Sequence, residues 1–567
     1  MSFWMEGALL PWEPSRNYSK PVPTTRDCSR CMVEKYPPEP WESCMDGAFL
    51  LPGAVKKIRK MDIFLLAAAL LGFYFLFFHH LSTRDFWSSH EARAAMDANS
   101  LLQDGGIFPK ILDGREELQK PPLYYWFVAA ISWLRGGETD ALSVRLPSAL
   151  AASATVILIG YLGFRFHGGL TGICSGLILA TAIHFTWLGR IGRMDMTLTF
   201  FITCSLACAF LAKQNRQGKG GWVVGTYVFL LLGVFLKGLI ALALAVPVLL
   251  GLCLVVGEEC SQSTWRDRLW KTGVKTLRLP LGLAVVVFLS CLFFLWLEWE
   301  SQGVFFQEFL GYHHWNRALG NGALRSHPWG FYFYQFPLDF LPWSPLLCFA
   351  LYQSLKRGLS SCGPMERFGL VWLCAMFTVL SLVSYKRADY LLPAYPGAAL
   401  FLGGWIGAKQ NQWRFLSRSE NGWKLAVVAT LLVFSISWWG FVDRYLPLLE
   451  PHREMKSPAR RIREITTEKI WFFNSEMHAL AFHCGAPVGS VAGWDALAEN
   501  ARLGSIRYLI VPGKDYNHLQ EKLPGCLVRE RYSRLENETK GFSRPFVFVE
   551  LIPDNHVESV HAITTGK

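Results

Sequence analysis

No internal repeat and no low-complexity run stands out in this sequence, which excludes a repeat solenoid. The C-terminal part holds no phosphate-binding glycine loop, so a nucleotide cradle of that kind is not expected there. No cleavable signal peptide is evident, because the first strongly apolar segment comes too late. The cysteines form no metal set by spacing. Cys28 and Cys31 make a lone CxxC with Cys44 nearby, and a tetrahedral zinc site needs four ligands. Cys174, Cys204, Cys208, Cys253 and Cys291 lie inside apolar runs, where cysteine behaves as a small hydrophobe.

What the chain does have is long apolar runs. Its 51% hydrophobic content is near that of an ordinary soluble protein, so the distribution decides and the average does not. Runs of roughly 17–25 residues recur from residue 61 to residue 444, each long enough to cross a bilayer as a helix. They fall at 62–78, 143–165, 170–189, 194–212, 221–236, 239–256, 278–297, 331–355, 367–384, 391–408 and 424–444, which makes about eleven spans. A further apolar stretch, Pro121–Leu134, is short for a span. Its two prolines suit a first helical turn and its aromatics suit the headgroup layer, so it reads as an interfacial helix.

Charge orients the runs. Lys56, Lys57, Arg59 and Lys60 precede the first and place the N-terminus in the cytoplasm. Lys213, Arg216 and Lys219 then fall inside, as do Arg266, Arg268, Lys271 and Lys275, and later Lys356, Arg357, Arg367, Lys409, Arg414 and Arg418. The alternation holds only if Pro121–Leu134 does not cross. Cytoplasmic lysine and arginine account for the net charge of +12, and nucleic acid is not expected as a partner. Residues 1–55 read as a disordered cytoplasmic tail, with Met45 and Met61 as alternative starts. Residues 56–444 read as the membrane domain and 445–567 as a soluble domain on the outer side. Strand-like runs at Lys469–Phe473, Arg507–Pro512 and Phe546–Leu551 alternate with helical stretches around Asp495–Leu503 and Tyr516–Leu523. The fold class expected is therefore membrane all-α with a small C-terminal soluble α/β domain.

Several polar clusters share the outer face under this topology. The stretch Arg84–Pro122 concentrates Asp85, Glu91, Arg93 and Lys120 beside the membrane. Gly189–Met196 carries Arg190, Arg193 and Asp195 at the junction of two runs. The loop Glu298–Trp329 carries Glu308, His313, His314, Arg317 and His327, and Ser384–Pro393 carries Lys386, Arg387 and Tyr390. The positive-inside rule discourages Lys386 and Arg387 there, which points to an anionic partner such as phosphate. Lys120 stands at a helix N-terminus, where free amides also favour an anion; the plainer reading is a snorkelling surface lysine. Asp85 and Glu91 are solvated loop charges or caps unless a site uses them. Asp195 beside two arginines is either a helix-end charge or a carboxylate held ionised to orient a substrate or take a proton. Glu308, His313 and His314 could hold a divalent metal, although their spacing is not diagnostic and a hydrogen-bonding loop is the better reading.

Cations, acids and a membrane face together suit group transfer from a lipid phosphate. The leaving phosphate needs fixed cations, the accepting hydroxyl needs a base within reach, and the lipid must enter sideways.

The motifs that meet these needs resemble a known family. Ser89–Ala98 (SHEARAAMDA), Lys120–Trp126 (KPPLYYW), Arg145–Ala152 (RLPSALAA) and Gly192–Phe201 (GRMDMTLTFF) are similar to bacterial integral-membrane glycosyltransferases of the GT-C fold. Within these the likeness is greatest to the aminoarabinose (lipid A) transferases and relatives of the protein O-mannosyltransferases. Phe305–Gly320, His327–Trp343 and Ser384–Pro396 carry it further, over about residues 61–410. The resemblance implies about 11–13 transmembrane helices, a polyprenyl-phosphate-linked sugar as donor and an outward-facing site. It implies a lipid, glycan or protein acceptor, no required cofactor, and a divalent metal as compatible. Glu91 and Asp195 fall at its catalytic acids, and Arg93, Lys120, Lys386, Arg387 and Tyr390 at its phosphate contacts; Arg317 joins these on the same face. His90 departs from the pattern, since the aminoarabinose transferases have an acid there, and this leaves the base open. A lipid-linked-sugar flippase would need polar residues at mid-membrane and paired interrupted helices. A non-catalytic glycan-assembly protein would survive loss of Glu91 and Asp195.

Overall fold

The computed structural model describes residues 60–553 except 111–115, 216–218, 256–263, 310, 312–326, 410–421, 450–452, 476, 486–487 and 535–544. The tail expected over 1–55, the CxxC at Cys28 and Cys31, and Arg317, His313 and His314 lie outside the described residues. Residues Ile63–Lys567 form one compact unit.

Every apolar run expected as a span is helical, but fewer are long enough to cross. Seven described helices are long and apolar enough, or eight if Gly169–Thr181 and Ile183–Gly189, bent by 70°, make one span. The other expected runs form shorter or broken helices among the described residues. The run at 331–355 breaks at 340–343, where Pro342 stands, into Phe331–Asp339 and Ser344–Arg357. The run at 239–256 gives only Ile240–Val255, and the first run gives a short apolar helix, Leu65–Phe78. Pro121–Leu134 forms the short helix expected of it, Leu123–Leu134, with Pro122 at its N-cap.

In chain order we label α1 (Lys60–Phe73, continued by a wide turn to Phe78), α2 (Ser89–Asp104), α3 (Leu123–Leu134) and α4 (Ala141–His167). Then come α5 (Gly169–Thr181), α6 (Ile183–Gly189), α7 (Met194–Gln214), α8 (Lys219–Lys237), α9 (Ile240–Val255) and α10 (Leu279–Glu300). Of the later helices, α11 (Phe331–Asp339), α12 (Ser344–Arg357), α13 (Pro364–Leu382), α14 (Tyr395–Ala408) and α15 (Gly422–Gly440) complete the membrane part. Helix α7 is almost wholly buried and forms the axis of the bundle, whereas α10 leaves Leu281, Phe288, Leu292 and Leu295 exposed, as a lipid-facing helix would. Small residues let helices close up where lipid gives no hydrophobic drive. A Cβ on Gly172 of α5 would stand 2.6 Å from the carbonyl oxygen of Gly160 on α4, so only glycine fits.

Two local devices aim the segments between helices. Ser88 caps α2 through the amide of Glu91, and the Glu91 carboxylate returns to the amides of Trp87 and Ser88, a reciprocal cap. Gly192 lies in the turn from α6 into α7, where a Cβ would stand 2.2 Å from Val144 Cγ1. That close approach brings the start of α7 hard against α4.

The C-terminal part contains a five-stranded sheet: β1 (Ile470–Phe473), β2 (Val488–Val491), β3 (Tyr508–Pro512), β4 (Cys526–Ser533) and β5 (Phe546–Pro553). The order is β2-β1-β3-β5-β4. The first three strands are parallel, and β5 runs antiparallel to both β3 and β4. The expected strands at 469, 507 and 546 are present; β2 (VGSV), half of it glycine and serine, and β4, too charged (LVRERYS), do not stand out by pattern. The loop before α2 meets this part directly. Asp85 accepts from His483 Nε2 (2.6 Å), and Arg453 stacks on the Trp87 ring.

Candidate active site

The start of α7 anchors the site. Asp195 is 5% exposed and is gripped on both oxygens: Lys237 Nζ donates to Oδ1 (2.5 Å) and Arg193 Nε to Oδ2 (3.0 Å). Arg193 reaches on to Asp389 (2.9 Å), which Arg387 also meets at 3.2 Å. His184 Nε2 lies 3.3 Å from Asp389, and its Nδ1 meets the Tyr395 hydroxyl at 3.2 Å. Lys237 stands over the Tyr390 ring at 4.7 Å.

Asp195, Lys237, Arg193, Arg387 and Tyr390 line a cavity of about 140 Å³ together with His90, Arg93, Gln119, Lys120 and Tyr385. The lining holds five cations (Arg93, Lys120, Arg193, Lys237, Arg387) and one carboxylate, Asp195. An apolar groove of about 370 Å³ shares Lys120, Asp195, Lys237, Tyr385 and Tyr390 with it and continues along Leu198, Leu239, Ile240, Leu244, Phe309 and Pro393. A charged chamber thus opens into an oily channel between helices.

Burial and neighbouring cations set the protonation around the chamber. Lys120 is pushed down to about 7, chiefly by burial and then by Arg93, against the pull of Asp97. Burial raises Asp97 to about 7 although Arg93 and Lys120 oppose it. Burial, followed by Arg193, Lys120 and Arg387, holds His90 down to about 3, so its imidazole is neutral at physiological pH.

The sequence-chosen residues divide. Asp195, Arg93, Lys120, Arg387 and Tyr390 come together on the cavity. Arg93 is already answered by the buried Glu117, with which it pairs. Glu91, expected at the reaction centre, is 0% exposed and is absent from the lining. Its carboxylate accepts from Arg145 Nε (2.8 Å), Arg145 NH2 (3.1 Å), the amide of Gly192 (2.9 Å) and its own cap. That is a saturated acid, which fixes the turn leading to Arg193 and Asp195. Asp85, also expected to be catalytic, accepts from His483 and from the amides of Phe86 (2.8 Å) and Met455 (2.9 Å). Burial would raise its pKa, but His483 and these two amides outweigh it, and the carboxyl sits below its ordinary value. Lys386, expected on phosphate, donates instead to the carbonyls of Val383 (2.5 Å) and His327 (3.1 Å) and is 3% exposed. Glu308 is exposed and the two histidines expected beside it are not described.

Sequence reasoning passed over Lys237, Asp389, His184, Arg145 and Gln119. Lys237 had a signal, being the one charge at the end of the apolar run of α8.

Similarity to known proteins agrees with this geometry. Residues 119–293 match the family of dolichyl-phosphate-mannose-protein mannosyltransferases. An undecaprenyl phosphate-α-4-amino-4-deoxy-L-arabinose arabinosyl transferase of an Enterobacter species is 27% identical over 402 residues, covering 68% of this chain and 67% of that one. An uncharacterized protein of Aquifex aeolicus is 27% identical over 365 residues, 63% of this chain and 66% of its own length. The chain thus aligns with about two thirds of the length of these relatives. The crystal structure of ArnT from Cupriavidus metallidurans bound to undecaprenyl phosphate superposes with a TM-score of 0.65 at 17% identity, over 86% of this chain and 97% of that one. Together these show that the chain has the GT-C fold of multi-pass membrane glycosyltransferases, with the mannosyltransferase family matched over part of its length. Within that class it is similar in sequence to the aminoarabinose transferases.

Proposed function

We propose that this chain transfers a sugar from undecaprenyl phosphate to a lipid, glycan or protein acceptor at the outer face of the cytoplasmic membrane. The observation that carries the reading is the continuity of a five-cation chamber with an apolar groove. A polyprenyl phosphate has those two parts, an anionic head and a long apolar tail.

In this reading the tail lies along Leu239, Ile240 and Leu244, and the phosphate meets Lys120, Lys237 and Arg387. The glycosyl C1–O bond to phosphate breaks, and a C1–O bond to the acceptor forms. The departing phosphate gains negative charge, which the fixed cations stabilise more strongly than the bound diester. The acceptor's proton goes to His90. Burial lowers its basicity first and neighbouring cations next; a bound phosphate offsets the cations, so the imidazole takes a proton more readily when donor is present. Asp195 holds Lys237 and Arg193 in place and keeps their charges from repelling one another. Glu91 and Arg145 position that pair through Gly192.

The N-terminus lies in the cytoplasm, and residues 445–567 form a domain on the outer side that selects the acceptor. A divalent metal is compatible with the site and is assigned no step. The flippase alternative fits less well, because the chamber's charges gather where helices begin and end.

The test is sugar transfer by the purified full chain in lipid nanodiscs, using undecaprenyl-phosphate-linked sugars and a lipid-A-containing acceptor extract. Release of undecaprenyl phosphate with transfer, lost in Asp195→Asn and His90→Gln, is expected. Full transfer by both variants would overturn the catalytic assignment.

A further inference from the structure

A second cluster of ligating groups lies away from the chamber, where α1 and α15 both end. His79 Nε2 stands 3.0 Å from Asp443 Oδ2 and 3.2 Å from Oδ1. His80 Nδ1 stands 3.5 Å from Asp443 Oδ1. One ligand atom from each of the three residues falls within 4.8 Å of the others. The two imidazole centroids lie 4.1 Å apart with the rings tilted by 32°, and His80 holds φ at +55°, a backbone conformation that a β-carbon disfavours. The surrounding contacts hold that turn so that two consecutive histidines face one carboxylate.

We propose that His79, His80 and Asp443 form a binding site for a divalent first-row metal, best matched by zinc. Zinc takes imidazole and carboxylate ligands at about 2.0–2.2 Å, which sets donor atoms roughly 3.3–3.5 Å apart around a tetrahedral centre. Taken to one oxygen, Asp443 Oδ1, the separations are 3.2 Å from His79 and 3.5 Å from His80, near that spacing before any metal draws the donors together. Two neutral imidazoles and one carboxylate leave a fourth position for water. His80 is half-exposed, and His79 and Asp443 are largely enclosed, so the open side faces solvent. Two cations stand close enough to act on Asp443 by charge, and hydrogen bonds from both go to backbone carbonyls. Arg84 donates to the carbonyl of Val442, and Arg190 donates to the carbonyls of Phe75, Leu76 and His79. Arg190 also starts the turn through Gly192 into α7, so a metal here would tie α1 and α15 to the segment that presents Asp195.

The experiment uses the untagged full chain in detergent, loaded with zinc and dialysed, with bound metal counted by mass spectrometry. About one equivalent per chain is expected at this site, lost in His80→Ala and in Asp443→Asn and kept when His313 and His314 are both changed to alanine. Cobalt loading should give the strong visible absorption of a tetrahedral site in the parent and none in His80→Ala. His80 is the most exposed ligand, so this variant decides the matter if Asp443→Asn unfolds. No retained metal in the parent, or the same stoichiometry and spectrum in His80→Ala, would overturn the proposal and leave a hydrogen-bonded histidine–aspartate clamp.

Discussion

Glu91 and Asp195 are both buried acids that face an arginine, and they lie on either side of the Gly192 turn. They differ in what else surrounds them. Around Glu91 every partner is protein, the donors match the acceptor's capacity, and no cavity adjoins. Around Asp195 five cations line a chamber with one carboxylate, while Glu117 and Asp389 answer three of them from behind. A saturated ion pair holds a backbone in place; an unbalanced one waits for a charge to arrive. The lesson is that burial and pairing do not mark a catalytic acid, whereas cations crowded along a cavity wall beside it do.

Substitutions can break that comparison. Asp195→Asn should lower sugar transfer by about 10³-fold, because Lys237 and Arg193 lose their anchor, as measured by product formation in nanodiscs. Glu91→Gln should instead cost stability, about 3–5 kcal/mol, since it leaves Arg145 buried without its partner. Thermal unfolding in detergent reads this, and the chain that stays folded should keep more activity than Asp195→Asn. The reverse pattern would collapse the distinction. His90→Gln should lower turnover by about 10²-fold without moving the unfolding midpoint, and His90→Asp should recover part of the loss.

The chamber also has a pH signature. Lys120 is pushed down to about 7 in the free protein, so raising the pH through 7 discharges it and weakens the hold on phosphate. The donor KM should rise by up to about tenfold per pH unit above that point, since binding then requires proton uptake. Lys120→Arg, which stays charged, should flatten the rise. The smallest effect is expected outside the chamber. His483→Ala removes one partner of Asp85 and should cost about 1–2 kcal/mol, seen as earlier unfolding of the sheet part in hydrogen exchange.

Much of this was legible in sequence. Periodicity and length gave the helices, and charges stranded on the outer face marked Lys120, Asp195, Arg387 and Tyr390. The rest depends on packing. Lys237 and Asp195 are separated by a whole helical hairpin, α7 and α8, and no spacing rule says that its open end closes on a lysine. Glu91 is chosen by charge and position alone, while the Ser88–Glu91 capping signature, present in the sequence, describes what the carboxylate does. Lys386 and Arg387 are adjacent in sequence, yet one turns to carbonyls and the other to the chamber. Span number fails where prolines cut an apolar run, because hydropathy counts residues and takes no account of a missing amide.

The most direct measurement is a cryo-EM structure of the full chain with undecaprenyl phosphate. The account expects the phosphate among Lys120, Lys237 and Arg387, with the isoprenyl tail along Leu239, Ile240 and Leu244. A phosphate seated elsewhere, with those cations facing only water, would contradict it.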